Sequence, residues 1–481
     1  MPDWLLSSWH WFSGAAVVAF DVLATAHVVL HKRDVQAAIG WAGLIWFAPG
    51  VGPVLYYLLG VNRVERKARR LKRRRPPRPH GTGSAASHGA DALPPAAAHL
   101  APHVRLVGHL TGAPLLGGNA VRPLTTGTEA YAEMLRAIDG AAHTVGLSTY
   151  IFDNDAAGAR FVEALGRAAA RGVAVRVLID DIGARYSWPW TVVGPLRQAG
   201  VQVARFLPQF YPWYFAYANL RSHRKILVVD GAVGFTGGMN VRAAHDPTTN
   251  PKSPVADLHF RLDGPVVAHL REAFADDWEF CTRAALAGPG WFPRLAPRGE
   301  ALARGVRSGP DDAFKRLRAV LLGGLAAARS SVRVVTPYFL PDDALIAGLN
   351  VAALRGVKVD VVLPARCNLR LVQWACTAQL GQVLEHGCRV WLAPPPFAHT
   401  KLMVVDRAWV LFGSSNWDPR SLRLNFEFDV ECYDADLAGQ LDDEVARTVG
   451  RSRAVTPATL RARSLPAKLR DGAARLLTPY L

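Results

Sequence analysis

The chain opens on two long apolar runs and then changes character. Residues 11–30, WFSGAAVVAFDVLATAHVVL, form a run about as long as the ~20 residues that a bilayer-crossing helix needs, interrupted only by Asp21 and His27. A second run, VQAAIGWAGLIWFAPGVGPVLYYLLG, covers 35–60. Together they predict a two-helix transmembrane hairpin over 1–61. Trp4, Trp9 and Trp11 ahead of the first run, and Tyr56 and Tyr57 late in the second, are amphipathic rings of the kind that settle at the headgroup level. Pro49, Gly50, Gly52 and Pro53 interrupt the second run, which therefore either kinks as it crosses or re-enters. Asp21 is costly in hydrocarbon: it is a functional candidate, or else a carboxyl that is protonated, snorkels or is paired inside the hairpin. The start, MPDWLLSSWHW, lacks the basic residues of a cleaved signal peptide, and a second apolar run follows closely.

From about residue 105 strand-like and helix-like patterns alternate. HTVGLSTYIF (143–152) reads as a strand, AGARFVEALGRAAARG (157–172) as a helix and VAVRVLID (173–180) as a strand. SVRVVTPYFL (331–340), DDALIAGLNVAALRG (342–356) and VKVDVVLP (357–364) repeat that order, and VQVARFL and CRVWLAP add one further strand to each copy. Even phrases recur, Thr149-Tyr150-Ile151-Phe152 against Thr336-Pro337-Tyr338-Phe339. The repetition predicts an α/β fold of two similar halves, 105–305 and 306–481, built on largely parallel sheets flanked by helices. Between hairpin and halves, NRVERKARRLKRRRPPR (62–78) is dense in Lys and Arg, and 79–102 turns to Pro, Ala, Gly and Ser. The whole stretch 62–104 is expected to be a basic juxtamembrane flank followed by a flexible linker. By the positive-inside tendency the flank stays in the cytoplasm and keeps the rest of the chain there, although the shorter basic turn at 31–35 pulls the other way.

The formal net charge of +17 points to a polyanionic partner: nucleic acid, an anionic membrane surface or a phosphate-bearing substrate. The five cysteines are scattered and form no C-x-x-C pair, which excludes a disulfide framework and a structural zinc site of that type.

The chemistry sits in a doubled phrase. HRKILVVDGAVGFTGGMN (223–240) and HTKLMVVDRAWVLFGSSN (399–416) share His, Lys, Asp and Asn at the same places, with a constant offset of 176 residues. Residues two apart on a strand face one way, so His223 with Lys225, and His399 with Lys401, project together. One H-x-K-x4-D match is moderately specific; two, each followed by a glycine turn and an asparagine, are highly so. The doubled motif resembles the phospholipase D superfamily. The phrases NLRSHRKILVVDG, GSSNWDPRSLRLNFE, GWAGLIWFAPGVGPVLYYLLG and ARLLTPYL resemble its bacterial cardiolipin synthase group.

The candidate catalytic set is His223, Lys225, Asp230, His399, Lys401 and Asp406. A neutral imidazole attacks phosphorus to form a phosphohistidine, the other protonates the leaving alkoxide, and the roles reverse for the incoming alcohol. Lys225, Lys401, Asn240 and Asn416 would bind nonbridging oxygens. Asp230 and Asp406, at the far ends of the aliphatic strands, are better placed to fix the lysine or the local turn than to attack. The resemblance implies that Asp257 and Glu427 each orient a catalytic imidazole; the alternative for both is an ordinary solvated acid. Arg420 and Ser421 would reach a phosphate or glycerol hydroxyl, or Arg420 pairs with Asp418. His259 is a possible substrate contact, whereas His103, His109, His143, His245 and His386 lack a lysine at the second following position and are expected to be surface or satisfied polar residues.

The resemblance implies transfer of a phosphatidyl group between two phosphatidylglycerols with release of glycerol, with anionic membrane lipid as partner, no nucleic acid, no cofactor and no metal. It also implies an inner-membrane location. The same residues would serve a phospholipid hydrolase, with water as acceptor, or a nuclease; the hairpin argues for lipid. The aromatic stretch FLPQFYPWYFAYANL (206–220) either lines an acyl-chain entrance or packs as core and loop.

Overall fold

The computed structural model describes residues 3–32, 34–60, 87–208, 220–310 and 316–478. They form two compact units, an N-terminal helical unit and a body that begins by residue 87. The basic flank at 62–78 and most of the aromatic stretch at 206–220 lie outside the described residues.

In the N-terminal unit, α1 (Asp3–His31) contains a span-length apolar stretch, Trp11–His31. The second apolar run does not form an equal partner. It gives α2 (Val35–Phe47), a break at 48–50 with Gly50 at φ +75°, the short α3 (Val51–Leu55) and a π turn, Tyr56–Gly60. Thirteen helical residues reach only about 20 Å, short of the ~30 Å hydrocarbon thickness, so a crossing by this run needs α3 and the π turn as well as α2. The freed N–H of Gly50 donates to Asp21 Oδ1 at 3.1 Å, so the buried Asp21 is paired inside the unit. His27 and Tyr56 hydrogen bond at 2.8 Å, and Val28, Ile45 and Tyr56 form a small core.

The body is one continuous sheet with two equivalent arms. The first carries β1 (Leu115–Leu124), β2 (Thr144–Thr149), β3 (Ala174–Asp180), β4 (Gln202–Phe206), β5 (Ile226–Val229), β6 (Val233–Gly237) and β7 (His259–Asp263). The second carries β8 (Ala301–Ser308), β9 (Ser331–Val335), β10 (Lys358–Pro364), β11 (Arg389–Ala393), β12 (Leu402–Val405), β13 (Trp409–Gly413) and β14 (Glu427–Tyr433). The order β4-β3-β2-β5-β6-β7-β1 is followed outward by β8-β14-β13-β12-β9-β10-β11, each arm mirroring the other, with β15 (Arg453–Val455) on the outer edge. The expected boundary at 305/306 therefore falls inside β8, a strand that belongs with the second arm.

The sheet is mixed, which corrects the expectation of largely parallel sheets. Among the described strands of this sheet, β2-β3-β4 and β9-β10-β11 are parallel and the other pairs antiparallel. Those links run through crossover helices such as Ala156–Ala170, capped by Asp155 and burying Ala157, Phe161, Ala164, Leu165 and Ala168 along one stripe. After β5 the chain instead turns between Val229 and Ala232 and returns as β6; after β12 it turns between Val405 and Ala408 and returns as β13. A turn that tight enforces antiparallel pairing.

Residues 87–104, expected to be linker, are structured. Short 3-10 turns at Ala90–Ala92 and Pro95–Leu100 lead into a helix, Ala101–Thr111, and Ala97, Leu100 and Val104 are buried in the core of the second arm. Sparse but regularly placed apolar groups suffice there because they cap a core that already exists. Across the centre, Phe260 of β7 stacks on Phe412 of β13 with ring centroids 3.7 Å apart, holding the first arm against the second motif hairpin.

Candidate active site

Each motif is a hairpin with its chemistry at one end and its aspartate at the other. Asp230 and Gly231 occupy the turn at φ +49° and +59°, and Asp406 and Arg407 the equivalent turn at +54° and +52°. Aspartate tolerates positive φ better than most residues, and here its carboxylate has a second task. Asp230 accepts the backbone N–H groups of Ala142, His143 and Thr144 at 2.7–2.9 Å. Asp406 accepts those of Arg329, Ser330 and Ser331, with His99 Nε2 at 2.7 Å. Of the two tasks expected of these aspartates, fixing the lysine or the local turn, the contacts are those of the turn: both pin the hairpin to the start of the neighbouring strand, a full strand length from the histidines.

The histidines are held by a crossed arrangement. His223 N–H donates to the carbonyl of Phe426, in the other arm, at 2.9 Å; the next residue is Glu427, whose carboxylate accepts His223 Nδ1–H at 3.0 and 3.1 Å. His399 N–H donates to the carbonyl of Ala256 at 2.7 Å; the next residue is Asp257, whose Oδ2 accepts His399 Nδ1–H at 2.7 Å. Each half supplies one imidazole and the acid that orients the other half's imidazole. With Nδ1–H committed to a carboxylate, and in His223 also to the carbonyl of Ser414 at 3.0 Å, Nε2 is the unprotonated nitrogen of each neutral ring.

The supporting contacts differ between halves. Glu427 also accepts Ser414 Oγ–H at 2.5 Å and Asn425 Nδ2–H at 3.0 Å. Asp257 is one carbon shorter, and its carboxylate lies over Gly238, where a Cβ would collide with it. Gly238 and Ser414 occupy equivalent positions of the two motifs, and the reach of the acid beside each, Asp257 or the longer Glu427, matches the difference between them.

Lys225 and Lys401 are fully enclosed. Each Nζ donates to the backbone carbonyl of its own histidine, Lys225 to His223 at 2.7 Å and Lys401 to His399. Burial pushes Lys225 down to about 7, opposed by Glu427 and reinforced by Lys401; burial likewise pushes Lys401 down to about 8, opposed by Asp257 and Glu427. Burial lowers both imidazoles too. Glu427 works against this at His223, while at His399 the charges of Lys401, Lys225 and His223 add to it. Mutual influence across the halves places both histidines, both lysines and both acids in one site. An anion entering it would relieve the repulsion between the cations.

Asn240 Oδ1 accepts the N–H of Ile151 at 3.1 Å, and its backbone carbonyl accepts Tyr131 O–H. Asn416 is buried, with an Oδ1 that has no hydrogen-bond partner among the described residues. Asp418 caps the turn through Ser421 N–H at 2.7 Å; burial raises its carboxyl to about 6, opposed in part by the half-buried guanidinium of Arg420, which also influences Tyr150 of the other half. Ser421 is buried beside Asp418. His259 is buried beside Lys225 and lowered by burial to about 4. Three residues at the site escaped the sequence reading. His245 packs against His399 at 6.1 Å between ring centroids, and Tyr150 and Tyr338 flank His223 and His399 edge-on at 5.3 and 6.2 Å. The tyrosines lay in the repeated Thr149–Phe152 and Thr336–Phe339 phrases; His245 carried no signal.

Comparison with known proteins agrees with this geometry. A family model described as a cardiolipin synthase, PLD-like domain, matches residues 134–278 and 321–449, and a phospholipase D-nuclease N-terminal model matches 19–60. Cardiolipin synthase A of Pseudomonas aeruginosa is 33% identical over 475 residues, 98% of this chain and 96% of that one. Cardiolipin synthase A of Pseudomonas fluorescens is 33% identical over 463 residues, 96% of each. Among solved structures, a phosphatidylserine synthase of Haemophilus influenzae superposes with a TM-score of 0.62 at 15% identity, covering 79% of this chain and all of the other, a likeness of fold. The chain belongs to the cardiolipin synthase family of phospholipase D-like enzymes.

Proposed function

We propose that this chain condenses two phosphatidylglycerol molecules into cardiolipin and glycerol through a phosphohistidine. The crossed pair of acid–imidazole contacts around two buried lysines carries the reading. Nε2 of one neutral histidine attacks phosphorus as the P–O bond to glycerol breaks, and Nε2–H of the other, protonated, gives its proton to the departing alkoxide. The now neutral second histidine takes the proton of the incoming phosphatidylglycerol hydroxyl; the new P–O bond forms and the P–N bond breaks, restoring both rings. In this reading Lys225, Lys401, Asn240 and Asn416 hold the nonbridging oxygens, and Arg420 and Ser421 serve the headgroup. Asp257 and Glu427 stabilise the imidazolium formed at each stage. The N–P bond retains enough of the ester's free energy for an alcohol to accept the group without a nucleotide donor.

Reconstituted protein given phosphatidylglycerol alone should release glycerol and cardiolipin in equal amounts. His223→Ala and His399→Ala should each abolish turnover, and full activity in either removes the two-histidine mechanism. Phosphatidic acid as the main product would make the enzyme a hydrolase.

Both apolar segments are proposed to cross the membrane, with the catalytic halves in the cytoplasm. Helices α1 and α2 pack together after a short turn, and the broken backbone at Gly50 is satisfied by Asp21, as hydrocarbon demands. The basic flank at 62–78 supports the orientation. A C-terminal reporter that works only outside the cytoplasm should stay silent.

A further inference from the structure

Tyrosines ring the site. Tyr186 lies edge-on to Tyr150 with ring centroids 6.3 Å apart, and its hydroxyl also influences Tyr338 of the other half. Tyr186 thus stands where the two halves' tyrosines meet, and the segment that carries it continues outward. That segment is clamped, with Ser187 Oγ–H donating to Asp153 Oδ1 at 3.0 Å and Asn154 Nδ2–H to the carbonyl of Trp190 at 3.1 Å. Yet Trp188 and Trp190 are 74% and 79% exposed. Two tryptophans held in water by a fixed backbone call for an apolar partner.

The other side of the rim shows the same feature. Tyr338 O–H donates to Asn368 Oδ1 at 2.9 Å, and Tyr338 packs in a small cluster with Val372, Ala375 and Ala474. Ala474 comes from the C-terminal helix Leu465–Leu476, which buries Asp471 and Ala474 on one side. On the opposite side Leu465, Leu469 and Leu476 are 68%, 64% and 78% exposed. Spacings of four and seven residues align them in one stripe, the reverse of a solvated helix. Lys468 and Arg475 are exposed beside that stripe. Leucines outward with basic residues alongside suit a helix lying at the headgroup–acyl boundary of an anionic leaflet.

We propose that the Tyr186–Trp190 segment and the C-terminal helix form a docking face by which the catalytic body seats on anionic phospholipid around the mouth of its site. The occupant is the bilayer leaflet itself, on charge and apolar complementarity. The identity of the lipid drawn from it rests on the phosphatidyl-transfer reading.

The test uses the full chain in phosphatidylglycerol-containing vesicles. Trp188→Ser with Trp190→Ser, and separately Leu469→Ser with Leu476→Ser, should cut the rate on bilayer-embedded phosphatidylglycerol about tenfold through KM. The rate on short-chain phosphatidylglycerol dispersed as monomers should change less than about twofold, since no surface is then involved. Brominated acyl chains should quench less tryptophan fluorescence in the Trp188/Trp190 variant than in the parent. Equal losses on both substrates, or no loss on vesicles, overturn the proposal. A parent protein that transfers from neither substrate sinks the assigned reaction instead, and quenching alone then decides: reduced in the variant, docking stands; unchanged, it falls.

Discussion

Replacing Glu427 with Gln tests the crossed design at one of its two joints. Glu427 lies in β14, 204 residues from the imidazole it serves, and is wholly buried. Gln keeps the size and one acceptor oxygen, so the contacts with Ser414 and Asn425 survive in part, but the negative charge is lost. With Nδ1 at 3.0 Å from the carboxylate, the charge centres of an imidazolium–carboxylate pair lie about 4 Å apart, and at an effective dielectric constant near 20 their attraction is about 4 kcal/mol. That is about three decades in rate. Steady-state cardiolipin formation from phosphatidylglycerol should therefore show kcat reduced about a thousandfold with KM little changed, because the charge acts when the ring is protonated and not when lipid binds. A second signature separates this from a general loosening of the site. Glu427 also supports the charge of Lys225, so its removal should move the alkaline limb of kcat/KM to lower pH. A Glu427→Gln enzyme within tenfold of the parent kcat, or with an unmoved alkaline limb, would refute the reasoning.

Other outcomes follow from the same geometry. Gly238→Ala, which has no unusual φ to violate, should displace Asp257 from His399 and reduce kcat by about two decades, as Asp257→Asn should, while the thermal midpoint stays within a few degrees; full activity would show that the Asp257 contact is dispensable. Asp230→Ala leaves three backbone N–H groups without their carboxylate and should cost about 3 kcal/mol in stability, read by thermal denaturation. Activity of the protein that remains folded should be nearly unchanged, and the opposite split would return this aspartate to the catalytic set. The lysines carry charge only below their lowered values, about 7 and 8, so kcat/KM should fall as pH rises through that range. A bound phosphodiester favours the charged forms, so the corresponding limb in kcat should lie at higher pH; identical limbs in both profiles would rule the lysines out as its source.

The backbone rule for each element was local enough to read along the chain. The unbroken aliphatic runs of β5 and β12 and the stripe of Ala156–Ala170 placed those elements within a residue or two, whereas the strands read at 143–152 and 331–340 end earlier, at Thr149 and Val335. The doubled His, Lys, Asp and Asn named the chemistry because residues two apart on a strand share a face. Local patterns could not show the antiparallel return of β6 and β13, which depends on what a three-residue turn permits. Nor did they reveal that residues 87–104 cap the second arm, since such short apolar spacings acquire meaning only against an existing core.

What the linear order of residues settled, then, is that two equivalent units each bring a histidine and a lysine to one place, ahead of a turn that needs an aspartate. Which acid serves which histidine was decided by folding. Phe426 and Ala256 hydrogen bond to the histidines of the opposite half, and the residue after each is the orienting carboxylate. The same convergence brought His245 and the two tyrosines to the site. Pairing between strands hundreds of residues apart is fixed by the packing of both sheet faces at once, and no window of sequence contains both partners.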